Sequence, residues 1–416
     1  MGTFQMYILT AAGLCFAADA MQVLLLSFLS EVLRAEWKLS SDQTASISSV
    51  LFAGAMVGTL ILGPMADHCG RKPGFLMAAS IIAFFGIAVA FSQTYTTLLA
   101  MIAMVGVGVG GLTVPFDIFA EFLPAHARGT NLLLIEYFWT IGILLVVFIA
   151  YCTLGGGAGD DFADSPNQNH RDPWRIFVIL CSLPCCLSVV LGIFFVPESP
   201  RWLCTKGRCD QALDIIRRAA KVNHLDVDLV FPESLQLTPE HEEENSNPCE
   251  LFTPKWRWTT FKLWGAWGAF AFGYYGTIMA ITRIFDNEGH KPNNNHIDNG
   301  NSIINNNNIP IGNDSYNFDY GAIFISSSAE VVGTTFAILL VDTVGRIPLQ
   351  VVSYAMAGIC VCSLCVLASN EAPRDLLIVF GFSARIFEMA GSCVSWVGTA
   401  EILTTEVRTT GASIYL

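Results

Sequence analysis

A chain of 416 residues that is 53% hydrophobic and only 14% charged, with 29 Phe and a mean hydropathy of +0.52, is too apolar to cover itself with a water-soluble surface. The net charge of −13 argues against nucleic acid as a partner, and the 13 Cys, most of them inside apolar runs such as 181–186, lack the spacing of a disulfide framework or of a metal site shared with His. A soluble enzyme is therefore not expected, and the bilayer is the solvent against which the chain has to be read.

Apolar windows of the roughly 20 residues that cross a hydrocarbon core fall at 7–30, 45–65, 73–92, 97–122 and 132–154, then at 174–196, 260–283, 320–341, 348–368 and 376–400. The expectation is an all-α polytopic membrane protein with about ten complete spans. The first window carries Asp19 and lacks a basic leader, so it reads as a retained helix rather than a cleaved signal peptide. A small apolar run begins at Gly411 and stops at Leu416, which reads as an eleventh helix missing most of its length.

Fourteen Lys and Arg, from Arg71 and Lys72 to Arg408, lie in the loops after even-numbered spans, seven lie in the other loops, and Arg385 lies inside a span. The positive-inside rule then puts the amino terminus and the even-numbered loops in the cytoplasm. Two loops are long. The cytoplasmic one, 197–258, mixes an amphipathic stretch at 211–220 with the acidic run 240–244. The other, 286–319, is Asn-rich, is expected to be disordered and luminal, and carries a glycosylation candidate at Asn313. The domains expected are an amino-terminal six-helix bundle (1–196), the cytoplasmic loop (197–258) and an incomplete carboxy-terminal bundle (259–416).

Two charged motifs recur. Asp67-His-Cys-Gly70-Arg71 joins spans two and three, and Asp342-Thr-Val-Gly345-Arg346 joins spans eight and nine, 275 residues later. Glu121 precedes Arg128 by seven residues after span four, and Glu401 precedes Arg408 by seven after span ten, 280 residues on. Repetition in the same order at nearly the same offset indicates two homologous six-helix halves in parallel repeat.

The repeated D-x-x-G-R loops, Pro197-Glu-Ser-Pro-Arg-Trp-Leu203 and the Glu401/Arg408 pair resemble the major facilitator superfamily in its sugar-porter-like branch. The runs Gly13–Met21, Ala120–Pro124, Leu134–Trp139, Leu251–Pro254 and Tyr274–Gly276 look like the synaptic-vesicle-two-related proteins, over nearly the whole chain. The resemblance implies two six-helix bundles, the second truncated here, that rock around a central cavity. It also implies that Asp67, Gly70, Arg71, Glu121, Arg128, Glu198, Arg201, Asp342, Gly345, Arg346, Glu401 and Arg408 brace alternating-access states. Because the Asp67 loop in such proteins works against the start of an eleventh helix, the 416-residue chain alone is expected not to transport. Ile102 stands where such proteins usually have Arg, and Gln22 where they usually have Glu.

Charges inside spans cost roughly 2.5–3.5 kcal/mol on insertion scales unless they meet a partner or water. Asp19, Asp117, Glu136, Glu330, Arg385 and Glu388 are those charges. Asp19, Glu136, Glu330, Arg385 and Glu388 are the proton or substrate candidates. Asp19 or Glu330 could carry a proton that relieves the cost of a buried carboxylate. Arg385 could hold a substrate carboxylate or neutralise Glu330 or Glu388, the latter only three residues away. Trp139, Tyr274, Tyr275 and Trp396 could stack on a cyclic or cationic solute. Gly106-x-Gly108-x-Gly110-Gly111 sits within an apolar span and reads as a helix-packing face, not a nucleotide loop. The function expected is secondary active transport of a small organic solute, cationic or carboxylate-bearing, with proton coupling through Asp19 or Glu330. No cofactor, metal, nucleic acid or enzyme activity is expected, and a plasma or vesicle membrane is the expected location. The alternative is a non-transporting membrane protein that binds partners through its long loops.

Overall fold

A computed structural model of the chain describes residues 2–124, 128–154, 173–227, 257–287, 318–370 and 372–402, with isolated positions at 231–232, 235, 237 and 253–254. Asn313, the acidic run 240–244 and Arg408 lie outside the described residues, as do the side chains of Arg128 and Glu401. The described elements are helices: α1 (Thr3–Glu36), α2 (Ser41–Cys69), α3 (Arg71–Val89), α4 (Tyr95–Val109), α5 (Thr113–Glu121), α6 (Arg128–Leu132), α7 (Leu134–Leu154), α8 (Pro173–Phe195), α9 (Pro200–Thr205), α10 (Cys209–Val222), α11 (Arg257–Asn287), α12 (Tyr320–Leu340), α13 (Arg346–Ser369) and α14 (Arg374–Ile402).

Local chemistry sets several of these starts. Ser40 and Gln43 form a capping box for α2, and Thr94 and Thr97 do the same for α4. Gly70 and Gly345 precede α3 and α13 with φ of 116° and 91°, backbone angles that a Cβ resists. The two D-x-x-G-R loops therefore turn the same way.

Nine helices, with α4 joined to α5 and α6 to α7, are long and apolar enough to cross a bilayer among the described residues. The tenth expected span is α11, which has 31 residues but is less apolar along its length. Its Trp, Tyr and Gly residues, with Arg257, Lys262 and Arg283, dilute the aliphatic signal. The amphipathic stretch at 211–220 is helix α10, with Ala212, Leu213 and Ala220 buried.

The core runs along α1, whose most apolar window is 94% buried, against 22% for the peripheral α13. A helix apolar on every side belongs inside a bundle. It packs on α7 and α8, while α2 packs on α4, and α3 on α4 and α8. In the other half α14 packs on α12 and α13. The halves meet where α7 touches α12 and α1 touches α11.

The Gly106–Gly111 run is a packing face, as its place in an apolar span predicts. A Cβ on Gly106 would stand 2.2 Å from the Leu51 carbonyl oxygen, and one on Gly54 would stand 2.2 Å from that of Ala103. Backbone meets backbone there, so no side chain can yield. Gly106→Val is expected to cost about 1–3 kcal/mol through overpacking, read as a lower unfolding midpoint of the solubilised protein.

Candidate functional site

The start of α3 gathers the first set of candidates. The Arg71 guanidinium is buried and lies 2.7 Å from Asp67, 3.7 Å from Glu121 and 3.9 Å from Asp117. Asp117 thus belongs to the Arg71 cluster at the end of its span. Glu198 works across 127 residues: its Oε1 accepts from the amides of Arg71 at 2.8 Å, Lys72 at 3.2 Å and Ser199 at 3.0 Å. A carboxylate on first-turn amides satisfies orphan donors and opposes the positive end of the helix. The Trp202 indole donates to the Asp67 carbonyl at 2.8 Å, which ties α9 to the same loop. Glu198→Ala is expected to cost about 1–2 kcal/mol of unfolding stability, and Glu198→Gln less, because the amide oxygen still accepts. In the second half Arg346 lies 3.3 Å from Asp342, both far more exposed than Arg71, and Thr130 reaches Asp342 across the halves at 3.3 Å.

Between the halves lies a cavity of about 430 Å³. Aromatic rings dominate its wall: Phe16 from α1, Trp139 from α7, Trp264, Trp267, Phe270, Tyr274 and Tyr275 from α11, and Trp396 from α14. The α11 rings recur at helical spacing on one face, which is why the least aliphatic span supplies most of the lining. Trp396 packs against Phe16 at 6.1 Å and Trp267 at 5.0 Å between ring centroids, so rings from both halves touch.

Glu136 lines this cavity, is 2% exposed and has no hydrogen-bond partner at Oε1. It lies within electrostatic range of Glu330 on α12. Glu330, fully buried, accepts at Oε1 from Tyr274 Oη at 2.7 Å and from Arg385 Nη2 at 2.5 Å. Arg385 is therefore hydrogen-bonded across to α12, while Glu388, three residues along its own helix, stays within electrostatic range. Glu388 accepts instead from Thr277 at 2.7 Å. Asp19 is 1% exposed with neither carboxylate oxygen partnered, and Tyr275 lies within electrostatic range of both Asp19 and Glu136. Ile102 is buried. Four carboxylates and one guanidinium thus lie buried in the interior of the spans among the described residues.

The far end of the seam is closed by rings. Phe28 of α1 packs against Phe177 of α8 at 6.1 Å, and across the halves against Phe318 at 5.1 Å and Tyr320 at 6.2 Å. Beside them Arg283 of α11 donates to Glu31 of α1 at 3.1 Å. Asp319 caps α12 and pairs with Arg374; partial burial pushes its carboxyl up, but the Arg374 guanidinium and the Ala322 amide outweigh that and hold it below the usual carboxylate range.

The chain matches the sequence model of the sugar (and other) transporter family over residues 16–295 and 307–415. It belongs to that family. It is 30% identical over 413 residues to the synaptic vesicle 2-related protein of Pongo abelii, covering 99% of this chain and 70% of that one. It is 29% identical over 449 residues to the organic cation/carnitine transporter 7 of Arabidopsis thaliana, covering 99% and 82%. Its fold is that of the xylose transporter XylE from E. coli in a partially occluded inward open conformation, with a TM-score of 0.70, 20% identity, and 99% and 91% of the two chains covered. The protein is an integral multi-pass membrane transporter with the major facilitator fold, and its relatives are transporters rather than enzymes.

Among the described residues, the buried charges gather at Arg71 and, for Asp19, Glu136, Glu330, Arg385 and Glu388, within the spans, while Asp342 and Arg346 form a separate exposed pair. Reading the sequence missed Thr277 as the donor to Glu388, the Phe28–Phe318 closure, and the α11 rings at 264, 267 and 270. Only the last had a signal, a helical repeat of aromatics.

Proposed function

We propose that the chain carries the cation site of a secondary carrier, whose cavity between the halves opens to each side in turn and exchanges a small organic cation against protons. The observation that carries this reading is Glu136, a buried carboxylate without a partner at Oε1 in a cavity walled by aromatic rings. Aromatic faces attract a desolvated cation by about 2 kcal/mol or more, and the surplus of carboxylates over guanidinium adds to that attraction. Arg385, already held by Glu330, offers less to a substrate carboxylate. Protons fit the same logic, since a proton on Asp19 or Glu136 relieves the cost of an unpaired carboxylate when the cavity is empty. Glycosylation at Asn313 and the bracing role of the Arg71 cluster accompany this reading as further proposals.

Quenching of tryptophan fluorescence tests it, because four cavity residues are Trp. Choline should bind about 30-fold more tightly than its neutral carbon isostere 3,3-dimethylbutan-1-ol, the factor that about 2 kcal/mol supplies. Equal affinity for the two, or tighter binding of butyrate or xylose than of choline, would overturn the cation reading.

A further inference from the structure

The buried polar contact between the halves is not an isolated bond. The indole of Trp139, on α7 of the first half, donates to the hydroxyl of Tyr274, on α11 of the second, at 2.6 Å. That hydroxyl donates in turn to Glu330 Oε1 at 2.7 Å, where the Arg385 guanidinium also lands. Direction is fixed by chemistry. An indole N–H only donates, so the tyrosine oxygen must accept from Trp139, and its single proton is left for Glu330. A charged acceptor strengthens the bond to Tyr274 and, through polarisation, the bond from Trp139. Among the described residues, the other side-chain hydrogen bonds across the seam, Tyr137 with Thr335 at 2.9 Å, Thr130 with Asp342 and Glu31 with Arg283, lie nearer the surface and do not join the buried charge pair.

We infer that Tyr274 is a positioning residue that transmits the state of the Glu330–Arg385 pair to the contact between the two halves. While Glu330 is ionised and paired, the chain from Trp139 to Glu330 is complete and α7 is held to α11. When a solute cation draws the Glu330 carboxylate away, the Tyr274 proton loses its acceptor. The Trp139 contact then weakens, and the seam is free to shift. The titratable groups facing Glu330 among the described residues are Tyr274 from α11, Arg385, Glu388 and Cys393 from α14, and Glu136 from α7. Tyr274 is the one among them that hydrogen-bonds both halves. This role rests on the alternating-access reading, and it names the side chain through which occupancy of the cavity reaches the seam.

The test compares a distance between the halves with occupancy of the cavity. Paramagnetic labels carried by unnatural amino acids at positions 42 and 370 leave the native cysteines in place; both sites are exposed and lie at the Glu31 end of the seam, one in each half. In the wild type, choline at a concentration that saturates tryptophan quenching should change the ratio of the two distance populations by about fivefold or more. Tyr274→Phe keeps the ring and removes only the hydroxyl. At its own saturating choline concentration it should show the same ratio with and without choline. Glu330→Gln should shift the ratio in the wild type and shift it no further in the Tyr274→Phe background, the non-additivity expected of residues in one network. A Tyr274→Phe protein that responds to choline as the wild type does, or additive effects of the two substitutions, would overturn the relay while leaving the carrier reading intact. A wild type with one distance under every condition would remove alternating access, and the relay with it.

Discussion

Replacing Arg385 with Met should destabilise the protein by about 3–5 kcal/mol, the cost of stranding a buried charge whose partner has been removed. Glu330 has no exposure and holds its guanidinium partner at 2.5 Å, while its Oε2 has no hydrogen bond to fall back on. The Tyr274 hydroxyl alone would remain to answer a full charge. The double substitution Glu330→Leu with Arg385→Met removes both charges and should recover most of the loss, because apolar replacements of buried pairs are often neutral. Arg385→Lys should fall between, since the ammonium keeps the charge but loses the planar fork. Unfolding midpoints of the solubilised variants check the order. Equal midpoints for the single and double substitutions would mean that the pair contributes nothing as a pair.

Glu136→Gln should weaken binding without lowering stability. The substitution removes the carboxylate that faces the cavity, and choline affinity should fall by about 30-fold, the equivalent of about 2 kcal/mol. The protein itself should be no less stable, because a neutral amide is cheaper to bury than a carboxylate with an unpartnered oxygen. Sites built for a ligand commonly show such an exchange of stability for function. Tryptophan quenching and thermal unfolding on the same preparation provide both readings. A loss of stability equal to the loss of binding would instead mark Glu136 as structural.

Much of the architecture was legible because hydrocarbon imposes a length. Runs of about 20 apolar residues marked the spans, and the twin D-x-x-G-R loops marked the repeat, down to the positive φ at Gly70 and Gly345. α11 falls outside the nine most apolar helices, since its aromatic and Gly residues serve the cavity wall more than the lipid. The candidate charges were legible as well, since an ionisable residue in a span is conspicuous. Their partners were not. Arg385 has Glu388 one turn away in sequence, yet it pairs with Glu330, 55 residues distant. Sequence spacing reports neighbours on one helix, whereas burial between helices decides which oxygen a guanidinium meets. Glu198 teaches the same lesson, because its short local spacing to Arg201 gives no hint of the α3 amides it caps.

Competition between a cation and a proton for the same buried carboxylates is tested most directly by the heat of choline binding, measured at one pH in two buffers of different ionisation enthalpy. If choline displaces the proton that neutralises the empty site, the two heats should differ by the difference in buffer enthalpies times about one proton released. Asp19→Asn or Glu136→Gln should reduce that difference. Choline binding with a heat independent of the buffer would contradict proton exchange and leave a cation site that works without it.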